Sequence, residues 1–184
     1  MSSGGELPRH IEEDLQRMLK SSLCKCAASW IFGGTGYGKS RRTPLATLMA
    51  MSTANKKPNG ALHVLPRKLP AYSLLSFYQG SEYEVVQRMA SIWNGDVHTE
   101  PSQREFVMLS TPVSSFHRLR NAFSWQDLSL IVFDEIQVKD GLVFLLIVHV
   151  LSLILCGDPC ANGVRVLLMT CLLYTSPSPR DAIP

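Results

Sequence analysis

Strong charge is missing from this chain. Charged residues make up 18% of its 184 positions, and the formal net charge is only +3. That balance permits a nucleic-acid partner without arguing for one. The basic groups that do cluster, Lys39-Ser40-Arg41-Arg42 and Arg67-Lys68, are what a solvated face ordinarily presents. A cysteine framework is missing too. Cys24-Lys25-Cys26 and the Cys156/Cys160 pair lack the paired spacing and nearby histidines of a zinc site, so structural or free thiols in a reducing interior are expected. No signal peptide is read at the start, where Met1-Ser2-Ser3-Gly4-Gly5 runs into charged sequence. The very apolar stretch from Leu142 to Leu155 falls short of the ~20 residues of a membrane span and reads as a buried helix beside a sheet. The expectation is an intracellular protein, nuclear or cytoplasmic, with no membrane partner. No internal repeat is visible. A rather apolar globular chain remains, 46% hydrophobic, with one domain's worth of residues.

What is present is more specific. Gly33-Gly34-Thr35-Gly36-Tyr37-Gly38-Lys39-Ser40 matches the phosphate-binding pattern G-x-x-x-x-G-K-[ST] without a gap. The apolar run Ala27 to Phe32 enters it, and the helix-compatible run Leu45 to Met51 leaves it. Glycines let the backbone wrap a phosphate, so that successive N–H groups and a helix N-terminus point at the anion. In that arrangement Lys39 reaches the β/γ-phosphates of ATP and the Ser40 hydroxyl ligates Mg²⁺. Further on, the β-rich run Leu128 to Phe133 ends in Asp134-Glu135. A buried parallel strand that delivers an acid at its C-terminal end is a Walker B arrangement. Asp134 would hold the Mg²⁺, and Glu135 would orient or deprotonate the attacking water.

Between and around these motifs the periodicity alternates. Leu7 to Leu23 reads as an amphipathic helix, with Ile11, Leu15, Met18, Leu19 and Leu23 at helical spacing. Asn55 to Gly60 is a turn-rich connection. Strands are expected at Ala61–Leu65, Phe106–Leu109 and Val164–Met169, with Ser91-Ile92-Trp93 a further short candidate. Ala71 to Met89 is mostly helical with a break near Gly80, and Ser114 to Asn121 suits a helix. Five β-runs separated by helical runs give an α/β fold with a doubly wound, mostly parallel sheet. In such sheets the ligand sits at the strand C-termini, where the phosphate loop, Pro66-Arg67, Thr111-Pro112 and Asp134-Glu135 all fall.

The order of these residues resembles the first RecA-like domain of a superfamily 2 DExH/DEAH-type ATP-dependent RNA helicase. The phosphate loop is similar to the G-E-T-G-S-G-K-[ST] form used there. Leu65-Pro66-Arg67-Lys68 resembles motif Ia, and Ser110-Thr111-Pro112 resembles motif Ib. Phe133-Asp134-Glu135-Ile136-Gln137 stands at D-E-x-H, and Leu167-Leu168-Met169-Thr170 resembles the start of motif III. The resemblance implies a RecA-like P-loop NTPase domain using ATP and Mg²⁺, with single-stranded RNA or DNA as partner. It implies that Arg67, Lys68 and Thr111 hold the nucleic-acid backbone, through phosphate pairing and a hydroxyl bond. It also implies that Gln137, standing where the family has His, couples the nucleotide site to a second domain. Gln can donate and accept hydrogen bonds but cannot titrate. Arg41-Arg42 stands where Thr-Gln is usual, and Val113 where motif Ib has Gly.

The reading divides the chain into a leading helix over 1–24, a first RecA-like domain over 25–170, incomplete, and a tail over 171–184. Cys171 to Asp181 equals, residue for residue, the translation of a transposase-adaptor string, so the tail is expected to be adaptor-derived and outside fold reasoning. A second RecA-like domain would then be lacking, and the chain alone would bind nucleotide weakly and hydrolyse it slowly or not at all. Other readings stay open: a plus-strand RNA virus helicase, a different P-loop NTPase, or a degenerate helicase domain that binds nucleic acid without catalysis.

Overall fold

The computed structural model describes residues 9, 13, 17, 27–33, 38–55, 60–82, 84–95, 97–99, 105–138 and 140–171. Of the leading helix, Arg9, Glu13 and Arg17 are helical and exposed; its remaining residues, the loop centre Gly34–Tyr37 and the tail from 172 lie outside the described residues.

Among the described residues, seven strands form one sheet. They are β1 (Ala28–Phe32), β2 (Gly60–Val64), β3 (Ala90–Asn94), β4 (Val97–His98), β5 (Phe106–Ser110), β6 (Leu128–Phe133) and β7 (Arg165–Thr170), in the spatial order β1-β7-β6-β2-β5-β3-β4. The first six places are parallel, and only the two-residue β4 runs antiparallel, against β3. The helices are α1 (Lys39–Asn55), α2 (Lys68–Gln79), α3 (Glu84–Met89), α4 (Pro112–Leu119) and α5 (Gly141–Leu155). All five β-runs and the further candidate form strands, and the helical run breaks at Gly80 as its sequence suggests. The fold class is therefore the expected one.

Parallel strands covered on both faces need apolar residues at every position, not alternate ones. β2, β5 and β6 are buried at every residue and apolar at all but His63, Ser110 and Ser129. Alternation then decides which side each residue serves. Ala61, Leu130, Val132, Leu167 and Met169 pack under α1 and α2, with Leu45, Leu48, Met51, Leu74 and Tyr78. Leu62, Val64, Ile131, Phe133, Val166 and Leu168 pack on the opposite side, against Val143, Leu146 and Val150 of α5. Burying a side chain of this size contributes about 1.5–3 kcal/mol, so the four fully buried residues Leu130 to Phe133 make β6 a rigid support for the acidic turn at its C-terminal end.

α5 departs from expectation. Its N-terminus is capped by Asp140, whose carboxylate accepts from Leu142 N–H at 2.8 Å and Val143 N–H at 3.4 Å. Only Val143, Leu146 and Val150 are buried, while Phe144 and Leu145 are more than 60% exposed. A helix on one face of an open sheet has only one side to bury, whatever its composition. Among the described residues no helix is long and apolar enough to cross a membrane.

Candidate functional site

The phosphate-loop motif leaves the C-terminal end of β1 at Gly33, whose N–H donates to Thr170 C=O of β7 at 3.3 Å. Lys39 folds back so that its ammonium donates to the Gly33 carbonyl. A Cβ on Gly33 would sit 3.2 Å from the Lys39 chain, so this side chain packs closely against the Gly33 backbone. Gly38 takes φ 74°, a left-handed turn that glycine adopts without strain, and its carbonyl accepts the first bonds of α1 from Arg41 and Arg42 at 3.1 and 2.9 Å.

Pro44 lies inside α1. Its missing N–H leaves the Ser40 carbonyl without its i+4 partner. The Tyr78 hydroxyl, arriving from the end of α2, takes that place. It lies 3.3 Å from Ser40 C=O and 2.9 Å from Arg41 C=O. Burial, reinforced by the Asp134 charge and opposed by Arg41, pushes this phenol far above its ordinary value, so it stays protonated and available as a donor. Its neighbour Phe77 lies under the Arg41 guanidinium, 4.5 Å from ring centre to charge. Tyr78→Phe is expected to cost about 1–2 kcal/mol, because the half-buried Ser40 carbonyl, without its helical partner at Pro44, loses its donor. The check is a urea unfolding midpoint, and an unchanged midpoint would show that Ser40 finds another donor.

β7 is the one strand between β1 and β6, so the phosphate loop and Asp134 emerge from the same edge of the sheet. Asp134 follows β6 in register. Its N–H donates to Val64 C=O at 3.0 Å, and its Oδ1 accepts Glu135 N–H at 2.8 Å. Ser40, at the start of α1, stands near the Asp134 carboxylate and helps hold its pKa down. The imidazole of His63 in β2 comes within 3.4 Å of Asp134 Oδ2. Burial alone would raise the Asp134 pKa, but His63, the Ser40 hydroxyl and the Glu135 N–H outweigh it and hold the carboxyl below its usual range. Even so, Oδ2 is buried without a hydrogen-bond partner.

The turn after Asp134 places Glu135 at φ 52°, the only positive φ of a non-glycine among the described residues. Such backbone costs energy and concentrates at functional positions. Gln137 uses both ends of its amide: Nε2 donates to the Glu135 carboxylate, and Oε1 accepts Thr170 Oγ1–H at 2.8 Å. It ties the acid after β6 to the end of β7.

A second concavity, of about 460 Å³, lies along the same strand edge where α2, α4 and α5 begin. Arg67, Lys68, Thr111, Val113, Ser114 and Asp140 are among its lining residues. Arg67 and Lys68 are exposed. Arg67 and Thr111 occupy the N-cap positions of α2 and α4 without capping them through their side chains, and both helix starts lie at this groove. The Thr111 hydroxyl is buried and donates to Ser114 Oγ at 3.2 Å.

The sequence-derived residues thus gather in two groups on one edge: Gly33, Gly38, Lys39, Ser40, Asp134, Glu135 and Gln137 in the first, Arg67, Lys68 and Thr111 in the second. His63, Tyr78, Ser114 and Asp140 were not foreseen. His63 alone had a visible signal, as an isolated polar residue in the run Gly-Ala-Leu-His-Val.

This architecture is an α/β RecA-like fold, the fold of helicase motor domains. One solved structure that it resembles is the DEAH/RHA helicase HrpB of Escherichia coli, at a TM-score of 0.67 and 18% identity, with 90% of this chain matching 20% of that one. Another is the DEAD-box helicase Mss116 bound to ssRNA and UDP-BeF, at a TM-score of 0.63 and 16% identity, with 92% of this chain matching 39% of that one. The chain spans less than half the length of either helicase. No protein-family model and no curated protein matches the sequence.

Proposed function

We propose that this chain is the ATP-binding motor domain of an ATP-dependent helicase that moves along single-stranded nucleic acid, RNA in the first instance. The observation that carries this reading is the strand order, which leaves only β7 between β1 and β6 and so brings the start of the phosphate loop and the strand-end acid Asp134 to one edge of the sheet. Support comes from the RecA-like fold and from the groove on the same edge, with its exposed Arg67 and Lys68. One of the two similar helicases was solved with ssRNA bound.

The residues suit a hard divalent cation. Asp134 is ionised, its Oδ2 is unpartnered, and the Ser40 hydroxyl lies beside it. No cluster of three or more His, Cys, Asp or Glu side chains is placed to hold a metal among the described residues. When bound, the cation supplies charge neutralisation on the phosphates. Lys39 pairs with the β/γ-phosphates. Glu135 orients the attacking water and accepts its proton. Gln137, linking Glu135 to Thr170, relays the state of this site towards a second RecA-like domain. That domain would also supply the arginine whose charge stabilisation is worth about 10³–10⁵ in rate in comparable NTPases.

Nucleic-acid binding is tested by salt. Each phosphate contact to a single strand contributes about 0.7 to the slope of log K against log salt. Replacing both Arg67 and Lys68 by Ala is expected to reduce that slope by about 1.4, with the affinity for every sequence falling alike. Fluorescence anisotropy with oligouridylate over a salt series makes the measurement. A slope equal to that of the unaltered chain would place the strand elsewhere.

A further inference from the structure

We propose that His63 is a positioning residue for Asp134, fixing the orientation of the carboxylate that would hold the divalent cation; this rests on the nucleotide-site reading above. The observation is an unusual use of the core. His63 lies within a strand whose other members are Gly60, Ala61, Leu62 and Val64, and its side chain is 0% exposed. Neither ring nitrogen has a hydrogen-bond partner, and the Asp134 Oδ2 that faces Nε2 at 3.4 Å has none either. A buried polar group without a partner is destabilising by about 1–3 kcal/mol, which an aliphatic residue at this position would avoid. A structural role alone gives no reason for an imidazole here.

The geometry gives one. The two carboxylate oxygens of Asp134 have different surroundings. Oδ1 is held by the Glu135 N–H at 2.8 Å, and Oδ2 faces the His63 ring. Alternation along β2 and β6 turns both side chains to the α1 and α2 side, where Ser40 begins its helix. The bond from Asp134 N–H to Val64 C=O locks the two strands in that register. Nε2–H can therefore approach Oδ2 only along the direction the strands impose, and it limits rotation of the carboxylate. Outer partners of this kind orient metal-binding carboxylates, and their removal typically costs 10–100-fold in metal affinity.

The test separates positioning from packing. Binding of N-methylanthraniloyl-ATP to the full chain is followed by fluorescence while Mg²⁺ is titrated. His63→Leu is expected to raise the Mg²⁺ concentration at half-saturation by about 10–100-fold. Nucleotide affinity without Mg²⁺ is expected to stay within about twofold, since no phosphate contact is lost. The urea midpoint of His63→Leu checks that the variant is folded under the binding conditions, since the buried Asp134 carboxylate loses its facing imidazole. His63→Asn, which keeps a donor, should recover part of the Mg²⁺ dependence. His63→Met, a more adaptable side chain, makes the same comparison should the leucine variant not fold. Unchanged Mg²⁺ half-saturation in the leucine or methionine variant overturns the inference alone. Failure of the unaltered chain to bind nucleotide with Mg²⁺ overturns the site reading, and this inference with it.

Discussion

Lys39→Ala is expected to weaken MgATP binding by about 10–150-fold. A charge-assisted contact contributes about 1.5–3 kcal/mol, and each 1.4 kcal/mol is a factor of ten. The ammonium of Lys39 already lies against the Gly33 carbonyl at the mouth of the loop, so its removal deletes a charge without opening the core. Glu135→Gln provides the contrast. Gln keeps the size and the acceptor oxygen but cannot take a proton, so binding should stay within about twofold while turnover, measured with the second RecA-like domain present, falls by roughly 10²–10⁴. Equilibrium binding of a fluorescent nucleotide reads the first effect, and single-turnover phosphate release reads the second. Binding by the Lys39 variant equal to that of the unaltered chain would remove the phosphate site from this loop. A Glu135 variant that turns over like its parent would favour a nucleic-acid-binding domain without catalysis.

Gly60→Ala is expected to destabilise the fold by about 3 kcal/mol, at the upper end of ordinary overpacking. A Cβ there would stand 2.2 Å from the Phe106 ring tip and 2.4 Å from the Asp127 carbonyl oxygen. The ring can turn away, but the carbonyl is backbone and is held by the Gly60 N–H itself at 2.8 Å. The pairing of β2 with β6 also shifts register at this point, so the strand has no slack to absorb a displacement. β2 carries His63 to Asp134 and then leads into Arg67, so the same substitution should loosen both halves of the site. Gly141→Ala is the matched control. Nothing lies within 4 Å of its Cβ position at the first residue of α5, and a gain of up to about 1 kcal/mol is expected there. Urea midpoints of the two variants decide, and equal midpoints would show that β2 can shift at its start.

Local signals made the two nucleotide motifs legible. Gly33, Gly38, Lys39 and Ser40 announce a loop that must turn tightly and offer donors, and the run Leu128 to Phe133 before Asp134 announces a strand buried on both faces. Parallel pairing made the groove legible as well, since Arg67 and Thr111 both come just after strand ends. Thr111 shows the limit of that reasoning. Its position was readable, but the bond of its hydroxyl to Ser114 depends on the first turn of α4, which opens on a proline. The α5 run Leu142 to Leu155 shows the limit in the other direction. Its composition suggested a buried helix beside the sheet, yet an open sheet offers a helix only one face, and Phe144 and Leu145 remain outside.

The sequence by itself determined whatever depends on neighbours along the chain: the strands, their apolar character, the tight loop and the acid at a strand end. The tertiary structure decided which of these meet. Strand order put a single strand between the loop and Asp134, and register and alternation set His63 against Oδ2. The loss of one N–H at Pro44 made room for a hydroxyl from a helix 34 residues further along, at Tyr78. Periodicity in a sequence fixes the face a side chain occupies; only the assembled sheet, with its crossovers and ladder bonds, fixes what stands opposite.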